Sequence, residues 1–295
     1  MRIKYFLYNA FIIENGKTKI AIDPGIDLWI LKLGSSLIPN EEWKGLTHIC
    51  ITHGDPDHAG AALKIAKDTD AQMISGMGLK EGSKELNNAI LSKTIRDLIE
   101  IKAGEKLNID QIEIEGLETK HGPLSFHLIP GIIKIRGELY EADHGGFRIY
   151  LGPVKILEKR KPIKVHTRGT TKFFNGIFGY EIDNISFANG SIGFKIIIED
   201  TSIVNLGDTV LLDSWKGLKP DILMIPIGGH NTMTEKEALE AIKAIQPKRV
   251  IPSHYNCGAF FSKHVNPADD HMFKQEVEKM GLECYIMKYG DTIDI

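Results

Sequence analysis

Short apolar runs punctuated by turn residues fill the first sixty positions, a pattern of strands rather than of helices. The segment NAFIIENGKTKIAIDPG predicts a hairpin about Asn15-Gly16, and THICITHGDPDH predicts a buried strand emptying into a polar loop. The period then changes. After Pro56, residues Ala61, Ala62, Ile65 and Ala66 recur at helical spacing, which predicts a helix over 56–69, and residues 80–100 carry a second helical pattern. Strand patterns return at 106–119 and at 191–206, where SIGFKIIIEDTSIVNLGD predicts a hairpin turning near Glu199 and Asp200. TEKEALEAIKAIQ is an amphipathic helix opened by Thr234, with Glu237 in capping-box position, and RVIPSH predicts a further strand.

This succession of strands, helices, strands, helix and strand fits helices packed outside two sheets. Residues 124–190 stand apart, being rich in glycine and aromatics with no helical period. They are expected to form a β-rich insertion within a single domain spanning 1–295.

Composition changes this picture mainly by exclusion. A chain of 295 residues can bury a sizeable core without covalent staples. Its 36 Lys and Arg against 39 Asp and Glu give a net charge of -3, so no global positive field gathers phosphate backbones and no nucleic-acid partner is expected. Three cysteines, Cys50, Cys257 and Cys284, with no CxxC pair argue against a disulfide framework and for a reducing, cytoplasmic setting. No run of ~18 apolar residues occurs, so neither a transmembrane helix nor a membrane partner is expected. Nothing in the sequence excludes an oligomer.

The chemistry concentrates in Thr52-His53-Gly54-Asp55-Pro56-Asp57-His58, where two imidazoles and two carboxylates fall within six positions on a loop between a buried strand and a helix. Imidazole and carboxylate are ligands for borderline and hard divalent metals. A turn at Asp55-Pro56-Asp57 merely flanked by histidines is the plainer alternative. The strand-to-helix context favours the metal.

This segment resembles the HxHxDH signature of the metallo-β-lactamase superfamily, and the resemblance extends over nearly all the chain outside the insertion. Gly207-Asp208-Thr209 looks like the GDT motif whose Asp bridges two metals. Pro252-Ser253-His254-Tyr255 looks like the late strand-end His. Asp23 in AIDPG resembles the early Asp that holds the ligand loop by hydrogen bonds. The segment PDILMIPIGGHNTMTEKEALEAIKAIQPKRVIPSHYN looks like the branch holding bacterial metal-dependent hydrolases, ascorbate-6-phosphate lactonase and phospholipase D of the N-acyl-phosphatidylethanolamine type.

The resemblance implies an α/β, four-layer αββα sandwich. It also implies two divalent metal ions (Zn, Mn or Fe), one held by His53 and a later His, the other by Asp57, His58 and His254, with Asp208 between them. Asp57 and Asp208 are then the catalytic carboxylates, and the two ions, ~3.5–4 Å apart, share one hydroxide. The expected reaction is hydrolysis of an ester, lactone or phosphodiester of a small-molecule substrate. A nucleic-acid phosphodiesterase like ribonuclease Z and a non-catalytic metal-binding or sensing protein are the competing readings. One departure matters: Asp55 stands where the family usually has His, which hardens the site and tilts it from zinc toward iron or manganese. If Asp55 does not reach the metal, the site is asymmetric or holds one ion.

The remaining ligand is open between two histidines. His121 and His166 both end strand patterns; His121 is favoured, with His166 an alternative ligand or a substrate contact. His230, after Gly228-Gly229, either faces the site as a substrate contact or caps the following turn. His48 is expected to be a satisfied neighbour and Cys50 a small core residue. Cys257 has no evident base beside it. Arg168, Lys172, Phe173 and Phe174 are expected on a solvated loop with a core aromatic pair.

Overall fold

The computed structural model describes residues 1–26, 36–77, 97–122, 124–129, 133–140, 146–153, 163–166, 191–229, 231–257, 259–260, 263–264 and 266–295. Strands β1 (Arg2–Tyr5), β2 (Phe11–Asn15) and β3 (Thr18–Ile22) pair antiparallel, and β4 (His48–Ile51), β5 (Gln72–Gly76) and β6 (Ile99–Ile101) continue the sheet in parallel. Strands β7 (Lys106–Ile109) and β8 (Ile112–Glu118) open a second sheet. Strands β9 (Leu124–Ile129), β10 (Ile133–Tyr140), β11 (Gly146–Pro153) and β12 (Ile163–His166) then form a sheet of their own in the segment read as an insertion. The second sheet resumes with β13 (Ile192–Ile198), β14 (Thr201–Asn205), β15 (Ile222–Pro226) and β16 (Arg249–Ser253). After the small hairpin β17 (Ala259–Phe260) and β18 (Lys263–His264), β19 (Glu283–Cys284) joins the second sheet and β20 (Thr292–Asp294) returns to pair with β1 in the first. Among the described residues, each main sheet has seven strands.

Alternation along the strands explains the layering. In β2 and β3, Phe11, Ile13, Ile20 and Ile22 point into one apolar cluster and Ile12 and Ala21 into another. The first cluster also contains Phe194, Ile196, Ile203, Ile222, Met224 and Ile251, so it is the seam between the two sheets. On the far side of the first sheet, Ile49, Ile51 and Met73 meet Ala62, Leu63, Ile65 and Ala66 of helix α2 (Ala62–Thr69). On the far side of the second, Val204, Leu223, Ile225 and Val250 meet Ala238, Ala241, Ile242 and Ile245 of α3 (Glu235–Ile245) and Phe273 and Val277 of α4 (Asp270–Lys279). The result is the four-layer αββα arrangement.

Several sequence expectations need correction. The first hairpin turns on Gly16 and Lys17, because Asn15 still pairs with Thr18, and Gly16 takes the left-handed backbone (φ 59°) that such a tight turn requires. The helix read over 56–69 is two pieces, α1 (Pro56–Ala59) and α2, separated at Gly60 and Ala61. The helical pattern read over 80–100 ends in strand β6; most of that range lies outside the described residues. By contrast, the second hairpin turns on Glu199 and Asp200 between the paired Ile198 and Thr201, as its sequence predicts.

Helix α3 begins with the capping box seen in the sequence: the Glu237 backbone N–H donates to Thr234 Oγ1, and the Thr234 N–H donates to the Glu237 carboxylate at 2.8 Å. Thr234→Ala is expected to lower stability by about 1 kcal/mol in urea unfolding, since it leaves a helix N–H without its acceptor. A second anchor joins β14 to β15. The Asp221 carboxylate accepts from the Ser202 N–H and Oγ and from Lys248 Nζ at 2.6 Å. Burial opposes its ionisation, but these donors prevail and hold its pKa down at about 2. A carboxylate depressed in the folded state stabilises above its unfolded pKa of ~3.9, and that contribution fades as pH falls toward 2. Asp221→Asn should therefore cost about 1–2 kcal/mol at pH 7 and progressively less below pH 4, a difference that urea titrations across pH will read.

Candidate metal centre

The loops that carry the clustered ligands leave the same edge of the two sheets. Strands β3 and β4 run parallel, as do β14, β15 and β16, and β8 reaches β14 through two successive antiparallel pairings, so it too runs in their direction. Their C-terminal ends deliver Asp23, the 52–58 loop, His121, Asp208 and His254 to one place over the seam.

Among the described residues, two groups of three side chains have ligand atoms within 4.8 Å of one another: His53, His121 and Asp208, and Asp57, His58 and His254. Asp55 joins the first group, its Oδ2 lying 3.4 Å from His53 Nε2 and 3.5 Å from His121 Nε2. Asp57 occupies the corresponding place in the second, with Oδ2 3.7 Å from both His58 Nε2 and His254 Nε2. Asp208 stands between: Oδ1 is 3.5 Å from His58 Nε2, and Oδ2 is 3.0 Å from His254 Nε2 and 3.8 Å from His121 Nε2. The structure thus brings His121 to the cluster. His166 ends β12 opposite Gly146, and its side chain lies outside what the structure describes. His230, Arg168, Lys172, Phe173 and Phe174 also lie outside the described residues.

The imidazoles are aimed by what holds their other nitrogen. Thr52 Oγ1 gives its proton to Asp23 Oδ2 at 2.6 Å, so His53 Nδ1, 3.0 Å from that oxygen, must be the donor between them. His58 Nδ1 lies 2.7 Å from Asp23 Oδ2, and His121 Nδ1 lies 2.8 Å from the Gly122 carbonyl, an acceptor only. In these three residues Nδ1 carries the proton and Nε2 presents to the centre. His254 is held differently, through Asn266 Nδ2, which donates to its carbonyl oxygen at 2.8 Å and lies 3.3 Å from its Nδ1.

The Nε2 atoms of His53, His58 and His254 and Oδ1 of Asp208 are buried without a hydrogen-bond partner. Buried polar atoms in such a state are costly, and four that converge fit a divalent cation. The charge balance agrees. Burial opposes ionisation of Asp208, yet His254 and His58 hold its carboxyl well below the usual range. Asp55 is likewise held down, by His53 and His121, against burial. Burial disfavours protonated His58, but Asp208, Asp57 and Asp23 raise it well above an ordinary imidazole, and Asp55 and Asp208 raise His121 to about 9. The same carboxylates that hold His58 and His121 in their protonated forms would balance the charge of a cation.

Backbone constraints complete the geometry. A Cβ on Gly25 would lie 1.9 Å from the Asp57 carbonyl oxygen, so only glycine fits beneath the ligand loop. Gly207 holds φ 58° against Thr52, and His254 holds φ 54° although it is not glycine, a strained conformation costing about 1–3 kcal/mol. The cysteines stay out of the chemistry: Cys50 lies in the inter-sheet seam, and burial pushes the Cys257 thiol up to about 12. His48 contacts Thr47 and Asp110.

The sequence reading missed Asn231, Asn9, Asn205 and Asn266. Asn231 is buried, and its Nδ2 donates to Asp208 Oδ2 at 3.0 Å and lies 3.2 Å from His121 Nε2. Its signal was its place directly after His230 in the GGHN run. Nothing in the sequence around Asn266 marks it.

The family described as the beta-lactamase superfamily domain matches residues 2–254 of this chain. A metal-dependent hydrolase of Nanoarchaeum equitans is 25% identical over 100% of both chains, and one of Pyrobaculum islandicum is 26% identical, again over 100% of both. Among solved structures, a metallo hydrolase of the hyperthermophilic archaeon Ignicoccus hospitalis superposes with a TM-score of 0.63 at 23% identity, covering 99% of this chain and 97% of its own. That likeness is one of fold.

The two candidate histidines can be separated by substitution. His121→Ala should lower bound metal as severely as His53→Ala, whereas His166→Ala should retain it and alter mainly KM. Elemental analysis of the purified variants measures this, and the reverse pattern would return the ligand role to His166.

Proposed function

The chain belongs to the beta-lactamase superfamily domain family, as a metal-dependent hydrolase, and from that premise we propose that it cleaves an ester, lactone or phosphodiester bond of a small-molecule substrate at a centre of two divalent ions. The observation that carries this reading is the convergence of buried, unpartnered Nε2 atoms on the Asp208 carboxylate. His53, His121, Asp55 and Asp208 would hold one ion, and His58, His254, Asp57 and Asp208 the other. When bound, such ions supply Lewis acidity and lower the pKa of water from 15.7 toward ~7.

The residues themselves do the positioning. Asp23, Thr52 and the Gly122 carbonyl fix which nitrogen of His58, His53 and His121 faces the centre. Asp208 is 1% exposed, whereas the Asp55 and Asp57 side chains retain 24% and 15%, so substrate approaches over Asp55 and Asp57. The net charge of -3 supports a small substrate over a nucleic-acid backbone. Among the described residues no helix is long and apolar enough to cross a membrane.

Asp55 also sets the metal. With it, each half of the centre has two imidazoles, one carboxylate of its own and a share of Asp208, a harder donor set than one with a third imidazole, which favours manganese or iron. Protein loaded with Mn, Fe or Zn should carry close to two ions per chain and hydrolyse at least one of a lactone, ester and phosphodiester panel. Asp55→His should shift relative affinity toward zinc. Loading that stays at zero for every metal would falsify the proposal, and an unchanged metal preference in Asp55→His would show that Asp55 does not bind the ion.

A further inference from the structure

The turn between β1 and β2 carries none of the candidate ligands, yet it touches Asp23 and two of the loops that do. It lies at the functional edge because β2 runs antiparallel to β3, which places the start of β2 beside the end of β3 where Asp23 sits. Asn9 Nδ2 donates to Asp23 Oδ2 at 2.6 Å and to Asn205 Oδ1 at 2.9 Å. Asn205 Nδ2 returns a bond to Asn9 Oδ1 at 3.0 Å, and Asn205 Oδ1 also accepts the Gly207 N–H, one residue before Asp208. The neighbouring Tyr8 carbonyl accepts the His254 N–H at 2.8 Å, and the Tyr8 N–H lies 3.2 Å from Cys257 Sγ. Leu7 and Tyr8 both adopt left-handed backbone, at φ 69° and 46°, which non-glycine residues hold only where the surroundings enforce it.

From this we infer that Asn9 is a positioning residue of the metal centre, joining with Asn205 in a buried amide clasp that fixes the His58 side of the centre against the Asp208 side. This rests on the metal-centre reading above and adds what sets its spacing. Asn9, in a turn of the first sheet, and Asn205, the last residue of β14 in the second, are 1% and 0% exposed. Their orientation is determined by chemistry: a flipped Asn9 would turn its carbonyl oxygen on the Asp23 carboxylate, and a flipped Asn205 would turn its amino group on the Gly207 N–H. Asn9 therefore neutralises part of the Asp23 charge and aims the carboxylate that holds His58 Nδ1. Through Asn205 the same amide locates the backbone leading to Asp208. Groups that orient metal ligands in this way typically change metal affinity 10–100-fold when removed.

The test is a titration of the full-length metal-free chain with Mn2+ alone, in competition with a chromogenic chelator, for the unmodified protein, Asn9→Ala, Asn9→Asp and Thr234→Ala. Asn9→Asp keeps the size of the side chain and an acceptor for Asn205 but loses the donor toward Asp23, so it remains informative if Asn9→Ala fails to fold. The Asn9 variants should bind 10–100-fold more weakly, while Thr234→Ala, destabilised at a helix cap on the outer layer, should bind within twofold of the unmodified chain. Asn9 variants that bind within twofold overturn the clasp, as does a Thr234→Ala loss equal to theirs, which would make the effect one of general stability. Absence of binding by the unmodified chain overturns the metal-centre reading itself, an outcome distinct from the other two.

Discussion

A fully buried carboxylate is the constraint on which the ligand side of this fold depends. Asp23 is 0% exposed at the end of β3, where an unpaired charge would cost several kcal/mol. It is met by the Thr52 N–H and Oγ1, Asn9 Nδ2 and His58 Nδ1, which between them occupy both oxygens. Each partner belongs to a different function. Thr52 follows the strand that launches the ligand loop and passes the orientation on to His53; His58 is a candidate ligand; Asn9 reaches across to the second sheet. Satisfying one buried charge therefore fixes two imidazoles and the relation between the sheets. Gly25, two residues on, must then lack a side chain so that the Asp57 carbonyl can sit against it.

The same accounting extends to the centre. Asp55, Asp57 and Asp208 crowd around four imidazoles over the seam, and in the metal-free protein they raise His58 and His121 while His254, His58 and His53 hold Asp208 down. Protons and divalent cations compete for this arrangement, because imidazole must lose its Nε2 proton before that nitrogen can bind a metal. The three Nδ1 atoms held by acceptors leave Nε2 as the nitrogen to be freed. The fold thus prepares lone pairs in one direction and supplies the negative charge that a cation would balance.

Much of this was legible in the sequence because strand and helix periods, turn residues and the capping box are local signals. The hairpin at Glu199 and Asp200, the Thr234 cap and the layered order all follow from neighbours within a few residues. So does the 52–58 cluster, since its members share one loop. The errors arise where local pattern meets tertiary constraint. The period after Pro56 continues across Gly60, yet the chain breaks there, and Ile99–Ile101 reads as the end of a helical pattern until its pairing with β5 makes it a strand. The asparagines were invisible for a different reason. An amide that bridges Asp23 to Asn205 has partners 14 and 196 residues away, and no spacing rule connects them.

Asp55 shows how far one departure from a motif can carry an argument once geometry is present. In the sequence it was a missing imidazole that left open an asymmetric or single-metal site. In the fold its Oδ2 stands at nearly equal distances from His53 and His121, as Asp57 Oδ2 stands from His58 and His254. The substitution thus brings the two halves toward the same composition. In the two-ion centre proposed above, such matching sets of imidazole and carboxylate would give both halves similar hardness and charge compensation, so neither would be favoured for a softer metal than the other. Three carboxylates would also leave that proposed centre with one unit less positive charge than two would.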